Sequence, residues 1–280
     1  MTRQLRRTLL SLAPPHQRLE GIGPVEVIVI DNGSDPPPTP ADLGVDALAA
    51  AGLAVSLHLW PCPSRSPVAA MNFGLSLARG DVIAAMIDGA RMASPGLIAA
   101  GVRGCALHPR AVVATYNYHL GSRPQHQSVP EGYDSEAEDA LLAGIGWPGD
   151  GYRLFEIGVP GTGAGWPGPL VESNALFMRR ALWDALGGYD VRFTSPGGGA
   201  ANPDLFRRAC ELPGAQLIKV THEATFHQVH GGTIANMTDR EALRQLLFEY
   251  ARIRHRKLAP VATPGWLLDG RSGTVSRLDA

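Results

Sequence analysis

Strands and helices alternate along this chain, and the alternation predicts an α/β fold with a mixed, mainly parallel sheet flanked by helices. Residues 25–30 and 82–87 are short, almost wholly apolar runs rich in β-branched side chains, which suits strands buried on both faces. Residues 54–59 and 111–116 read as further strands, and helical segments separate them. A third observation gives the sheet a functional end: Asp31 and Asp88 directly follow two of these strands. Open α/β sheets bind ligands at that carboxyl end.

The elements follow in order. Leu5, Leu9 and Leu12 recur at helical spacing, so residues 3–13 form an amphipathic helix stopped by Pro14 and Pro15. The strand over 25–30, read as a central one, ends in the turn Asp31-Asn32-Gly33-Ser34. A Pro-rich loop, a helix over 42–51 and the strand over 54–59 come next. Residues 67–79 form a helix closed by Gly80, ahead of the strand over 82–87. Ser94 and Pro95 read as a cap and a first-turn proline for a helix to about Cys105. Residues 117–171 are irregular and rich in Gly, Pro and Trp, with one helix over 134–145 in which Ser135 and Glu138 have capping-box spacing. A segment of this kind inside a compact domain reads as an active-site wall or lid. Beyond it lie a strand over 173–177, helices over 179–186 and 204–211, a strand over 217–221, a basic-ended helix over 239–256 and a loose tail from about Pro260.

Composition narrows the function. With 25 Lys+Arg against 26 Asp+Glu, nothing electrostatic recruits nucleic acid or an anionic membrane. A hydrophobic fraction of 45% argues against wholesale disorder. No apolar run approaches the roughly 18 residues of a spanning helix. Cys62, Cys105 and Cys210 form no CxxC pair and read as buried thiols of a cytoplasmic protein.

Two segments offer chemistry. In the first, Asp31, Asn32, Gly33 and Ser34 place a carboxylate and small polar groups where a base or sugar can be held, or else form a solvated turn. In the second, Gly80-Asp81 leads through the strand to Asp88-Gly89-Ala90-Arg91, where a carboxylate can hold a divalent cation and Arg91 can pair with phosphate. The run Gly161-Thr-Gly-Ala-Gly165 is followed by Trp166-Pro167, which cannot open the helix of a dinucleotide site. Trp147 and Trp166 suit either sugar stacking or a small core within the loop.

Taken in order, Glu26 to Ser34, Asn72-Phe73-Gly74, Gly80-Asp81 to Asp88, and Gly187-Gly188-Tyr189-Asp190-Val191-Arg192-Phe193 resemble the motifs of family-2 glycosyltransferases with the GT-A nucleotide-sugar fold. The resemblance covers residues 1 to about 232. It implies a nucleotide-sugar-binding half over 1–116, an acceptor-side loop segment over 117–171, an acceptor-binding half of the same domain over 172–258 and a tail over 259–280. It also implies transfer of a sugar from a nucleotide-sugar donor to a glycan, lipid-linked or small-molecule acceptor, with Asn72 joining the donor site and Mn²⁺ or Mg²⁺ as a weak cofactor.

The chain departs from the family pattern at three places. The family opens with a strand ahead of the first helix; here the expectation is either that Met1 is an internal start or that the nucleotide pocket is incomplete. Ala90 stands where the second Asp of the Asp-x-Asp motif usually coordinates metal, so His227 or, foremost, His230 of the segment Phe226 to Gly232 is the expected co-ligand of Asp88. Ala201 and Asn202 stand at the Glu-Asp positions of the catalytic base. An amide takes no proton, which leaves Asp204 and Glu172 as candidate bases, although Asp204 also reads as a helix cap. The alternative is a degenerate relative that binds a nucleotide or glycan without transfer. A nucleotidyltransferase is disfavoured, because no Gly-rich phosphate loop opens the chain.

Overall fold

The computed structural model describes residues 1–161, 168–230, 240–263 and 265–278. The expected alternation is present, but the sheet is divided. After α1 (Thr2–Leu12), β1 (Glu26–Asp31) and β2 (Ala54–Leu59) pair in parallel and form a two-stranded sheet of their own. The helix expected over 42–51 is two short ones, α2 (Pro40–Leu43) and α3 (Val45–Ala50), because Gly44 takes a left-handed φ of 71° between them. Next come α4 (Val68–Leu77), β3 (Val82–Met86), the unforeseen three-residue β4 (Arg91–Ala93) and α5 (Leu97–Leu107). Ser94 does not cap α5; its hydroxyl donates to Glu223 and accepts from the Ala224 N–H.

The remaining elements are β5 (Ala111–Leu120), α6 (Gln125–Ser128), α7 (Ser135–Gly144), β6 (Gly158–Pro160), β7 (Ala175–Arg179), α8 (Arg180–Leu186), α9 (Ala201–Glu211), β8 (Gln216–His227), α10 (Arg240–Arg254), β9 (Trp266–Asp269) and β10 (Val275–Arg277). The main sheet runs β10-β9-β8-β5-β7-β3, with β4 added on β8 and β6 on β5. β9, β8 and β5 are parallel neighbours, and β7 runs antiparallel between β5 and β3, so β3 shares the direction of β5. Neighbouring residues of one strand face opposite ways. Val112, Leu176 and Leu217 accordingly join one core with α4, α8, α9 and α10, while Val113, Phe177 and Ile218 join a second core with α1, α2, α3 and α5. Helices therefore cover both faces of the sheet.

Several expectations are corrected. The strand over 25–30 is not central: among the described residues β1 has a single neighbour, and it is half-buried throughout. The tail is not loose, because β9 pairs in parallel with β8 and buries Leu268. α7 is capped by Asp134, whose carboxylate accepts from the Glu136 and Ala137 N–H groups; Glu138 is instead buried and accepts from Val229 N–H at 2.6 Å. α9 begins at Ala201, so Asp204 lies within its first turn and does not cap it. Cys62 is exposed, unlike the buried Cys105. No helix among the described residues is long and apolar enough to cross a membrane.

Candidate active site

One cavity of about 1880 Å³ runs along β1 and β3 and takes in their carboxyl ends. It brings together Asp31, Asn32, Gly33, Ser34, Asp88, Arg91, Glu172, His227 and His230 from the sequence-derived candidates, and leaves Asn72 and Asp204 outside its lining.

Sheet register assembles the charged end. Arg91 on β4 lies opposite His227 on β8, and His227 lies opposite His119 on β5. Residues directly opposed across strands project on the same face, and Asn117, two residues before His119, shares it. Asp88, just beyond β3, accepts from the Ala90 N–H (2.9 Å) and from Arg91 Nε (3.1 Å), while Arg91 Nη1 donates to Asn117 Oδ1 (2.7 Å). Burial raises the Asp88 carboxyl, but Arg91, then His227 and the Ala90 N–H, outweigh it and hold the group below its ordinary range.

The orientation of His227 follows from its neighbour. Gln125 donates its amide N–H to the His227 carbonyl (3.0 Å), so the Gln125 oxygen faces His227 Nδ1 at 2.6 Å and must accept a proton from it. His227 Nε2 is thereby left with its lone pair, 3.0 Å from His230 Nε2 and 3.9 Å from Asp88 Oδ2. Burial and Arg91 keep His227 neutral, well below the usual imidazole range. Burial also lowers His230, and burial with Arg91 and His126 lowers His119 to about 4. One ligand atom each from Asp88, His227 and His230 lies within 4.8 Å of the others. A neutral imidazole whose second nitrogen is held by a carbonyl-type oxygen is the usual form of a metal ligand, so these residues fit a divalent cation.

The Asp31 end is built from turn chemistry. Asp31 Oδ2 accepts from the Gly33 and Ser34 N–H groups (3.1 and 3.0 Å), and Asn32 is bound to Ser64. Gly33 has φ 93°, and a Cβ there would meet Pro63 Cβ at 2.5 Å, so the turn requires glycine twice over. The turn thus forms part of the cavity wall. Asn72 acts elsewhere, since its amide donates to the Tyr189 carbonyl and accepts from the Tyr189 N–H, both at 2.8 Å, pinning the turn after α8.

The two candidate bases separate. Glu172 lines the cavity, and Asn202 Nδ2 holds its Oε2 at 2.7 Å while also donating to the Ser173 carbonyl. Asp204 is fully buried and paired with Arg208 (2.8 Å) and Arg254. Arg65 joins the lining beside the glycines at 197–199. The sequence reading singled out none of Arg65, Asn117, His119 and Gln125. Trp147 packs on the main core, rather than in a small core of the loop's own, and meets His16 edge-on; Trp166 and residues 162–165 of the glycine run lie outside the described residues.

Neither a protein-family model nor a curated protein sequence matches the chain. Solved structures do. The chain is similar to the crystal structure of S. aureus TarS 1-349 in complex with UDP-GlcNAc, with 13% identity and a TM-score of 0.53, over 88% of this chain and 62% of that one. A crystal structure of S. aureus TarS gives 14% identity and 0.53 over 89% and 37%, and one of TarS 1-349 gives 13% and 0.51 over 89% and 61%. The chain thus spans about three-fifths of the shorter TarS chain and little more than a third of the longer. What the likeness shows is the fold: a GT-A-type glycosyltransferase fold, with a mixed sheet between two layers of helices.

Proposed function

We propose that the chain binds a nucleotide-activated sugar across the carboxyl ends of β1 and β3 and transfers the sugar to an acceptor hydroxyl. A single observation carries this reading: one cavity joins the Asp31 turn, the Asp88–Arg91–histidine cluster and the Asn202-held Glu172. In the reading, the Asp31 turn faces the nucleoside, Arg91 faces the diphosphate, and Glu172 takes the acceptor proton. The anomeric carbon gains the acceptor oxygen as its bond to the diphosphate breaks, and the electron pair leaves on the nucleoside diphosphate. A divalent ion, when bound, would neutralise the charge growing on that leaving group, held by Asp88, His227 and His230. Two imidazoles and one carboxylate favour Mn²⁺ over Mg²⁺, which prefers oxygen ligands. With Arg91 already on Asp88, the ion binds weakly in the absence of nucleotide.

Titration calorimetry with UDP-, GDP- and TDP-sugars, with and without Mn²⁺, tests the binding half. UDP-GlcNAc, present in the TarS complex, comes first. Absence of heat with every donor overturns the proposal. A second reading, donor binding without transfer, is favoured by the sealing of Asp204 between two arginines and by Ala201 beside Asn202. It wins if donors bind but no nucleoside diphosphate is released, to acceptor or to water.

A further inference from the structure

Two buried polar groups on the wall that carries Glu172 have no partner. Asn174 is 5% exposed and Tyr189 4%, and neither Asn174 Oδ1 nor the Tyr189 hydroxyl makes a hydrogen bond among the described residues. Both residues line the cavity, as Glu172 does. Leu170, Glu172 and Asn174 reach it alternately, whereas Ser173 turns to β5 and accepts from the Thr115 N–H at 2.9 Å. Tyr189 is brought to the same region by Asn72, which bonds its backbone N–H and carbonyl. Burial and then the nearby Glu172 carboxylate raise the Tyr189 phenol. A buried polar group without a partner is costly, and folded proteins leave few of them. Two on one cavity wall point to what enters the cavity.

We propose that Asn174 and Tyr189 form a sugar-hydroxyl subsite, which binds the hydroxyls adjacent to the reacting one and so turns the acceptor hydroxyl to Glu172. The inference rests on the transfer reading for the role of Glu172 and adds the acceptor's chemical class, a saccharide. Hydrogen-bonding capacity selects that class. A side-chain amide presents an acceptor beside a donor, and a phenol hydroxyl both donates and accepts. Adjacent sugar hydroxyls, each a donor and an acceptor, satisfy both groups whichever way the amide is turned. A carboxylate or phosphate in their place offers acceptors alone, leaves Asn174 Oδ1 unmet and sets a second anion beside Glu172. An ammonium group pairs with Glu172 and blocks it as a base. Leu170, two residues before Glu172, supplies apolar surface for the C–H face of a sugar ring. Asn72 lies outside the cavity lining and acts as a positioning residue, through the Tyr189 backbone.

The test takes the full chain and, as probes, the methyl glycosides of glucose, galactose, mannose and N-acetylglucosamine, each with and without UDP and Mn²⁺. At least one glycoside shifts the Asn174 side-chain amide signals by NMR. Asn174→Leu and Tyr189→Phe each weaken that glycoside about tenfold, while UDP affinity by calorimetry is unchanged. Neither variant melts below wild type, because an apolar group of similar shape replaces an unpaired buried polar one; loss of a merely structural amide or hydroxyl lowers the melting temperature instead. If Asn174→Leu does not fold, Tyr189→Phe, which removes one oxygen, decides alone. Absence of glycoside binding in every mixture, or binding that the folded variants leave unchanged, overturns the proposal. Donor binding is read separately: glycosides that bind where no UDP-, GDP- or TDP-sugar does remove the transfer reading and keep the sugar subsite. If Asn174→Leu weakens UDP-GlcNAc but not UDP, the two groups hold the transferred sugar and the acceptor assignment is overturned.

Discussion

The two ends of the cavity are held by different means. At the β4–β8–β5 end, Arg91, Asn117 and His227 stand on strands paired in the main sheet and are tied to Asp88 beyond β3 and Gln125 on α6, and Arg91 and His227 are buried. At the β1 end, Asp31 rides on a half-buried strand with one neighbour, and the bonds that shape its turn lie largely within the turn and to the Ser64 loop. The Asp88–His227 end is therefore preorganised by the main sheet, whereas the Asp31 end is shaped by its own turn and the Ser64 loop. Preorganised polar groups contribute most where charge develops.

The largest expected effect separates chemistry from binding. Glu172→Gln lowers turnover by about 10²- to 10⁴-fold if Glu172 is the base, with donor affinity by calorimetry unchanged within about twofold. Asn202→Ala gives a smaller loss of turnover, because it frees Glu172 without removing it. An unchanged rate in Glu172→Gln removes that residue from the chemistry.

Asp204 supplies the contrast. Asp204→Ala leaves Arg208 and Arg254 facing a buried gap, so urea unfolding should show a loss of about 3–5 kcal/mol, as for a broken buried pair. Turnover per folded molecule stays near wild type. A stable Asp204→Ala variant that is catalytically dead returns Asp204 to the site.

These contrasts show what the sequence makes legible. Asp88 and Arg91 are readable because they follow an apolar run, and His227 and His230 only through the family resemblance. Asn117, His119 and Gln125 are not, because β5–β8 register and the α6 segment after β5 bring them to His227 from about a hundred residues away. β1 is recognisable as a strand but not placeable, since an apolar run reads the same with one neighbour or two. β8 continues past Thr221 although His222 interrupts it at φ 62° and the charged Glu223 follows; Ser94, Gly96 and Tyr152 satisfy that buried carboxylate from distant segments. Asp204 resembles a cap because one of its partners, Arg254, comes fifty residues later.

A pH experiment probes how α1 is fastened to the preorganised end. Glu138 on α7 contacts Arg3 and Arg7 of α1 and the Val229 N–H beyond β8, and burial raises its carboxyl to about 7 from an ordinary 4.5. The folded state thus binds the extra proton, so this contribution is complete below pH 4.5 and is lost as pH rises through 7. Wild-type stability relative to Glu138→Gln should fall by about 3 kcal/mol over that window. Taking the difference cancels His16, His119, His227 and His230, whose lowered values act in the opposite sense. A flat difference means that the arginines keep Glu138 ionised.

The smallest effects compare the two ends directly. Removing a metal ligand or the residue that orients it typically costs 10- to 100-fold in metal affinity. Both His227→Ala and Gln125→Ala should therefore weaken Mn²⁺ binding, measured in the presence of nucleoside diphosphate, by amounts in that range. Gln125 touches no ion, so its loss tests the tautomer reasoning specifically: without it, nothing requires His227 Nδ1 to carry the proton and leave Nε2 bare. Asp31→Asn keeps the acceptor oxygen that shapes the turn and removes only charge, and should change Mn²⁺ affinity less than about twofold while weakening the nucleotide itself. If Asp31→Asn instead weakens metal as much as His227→Ala does, the two ends are one coupled site and the contrast between them fails.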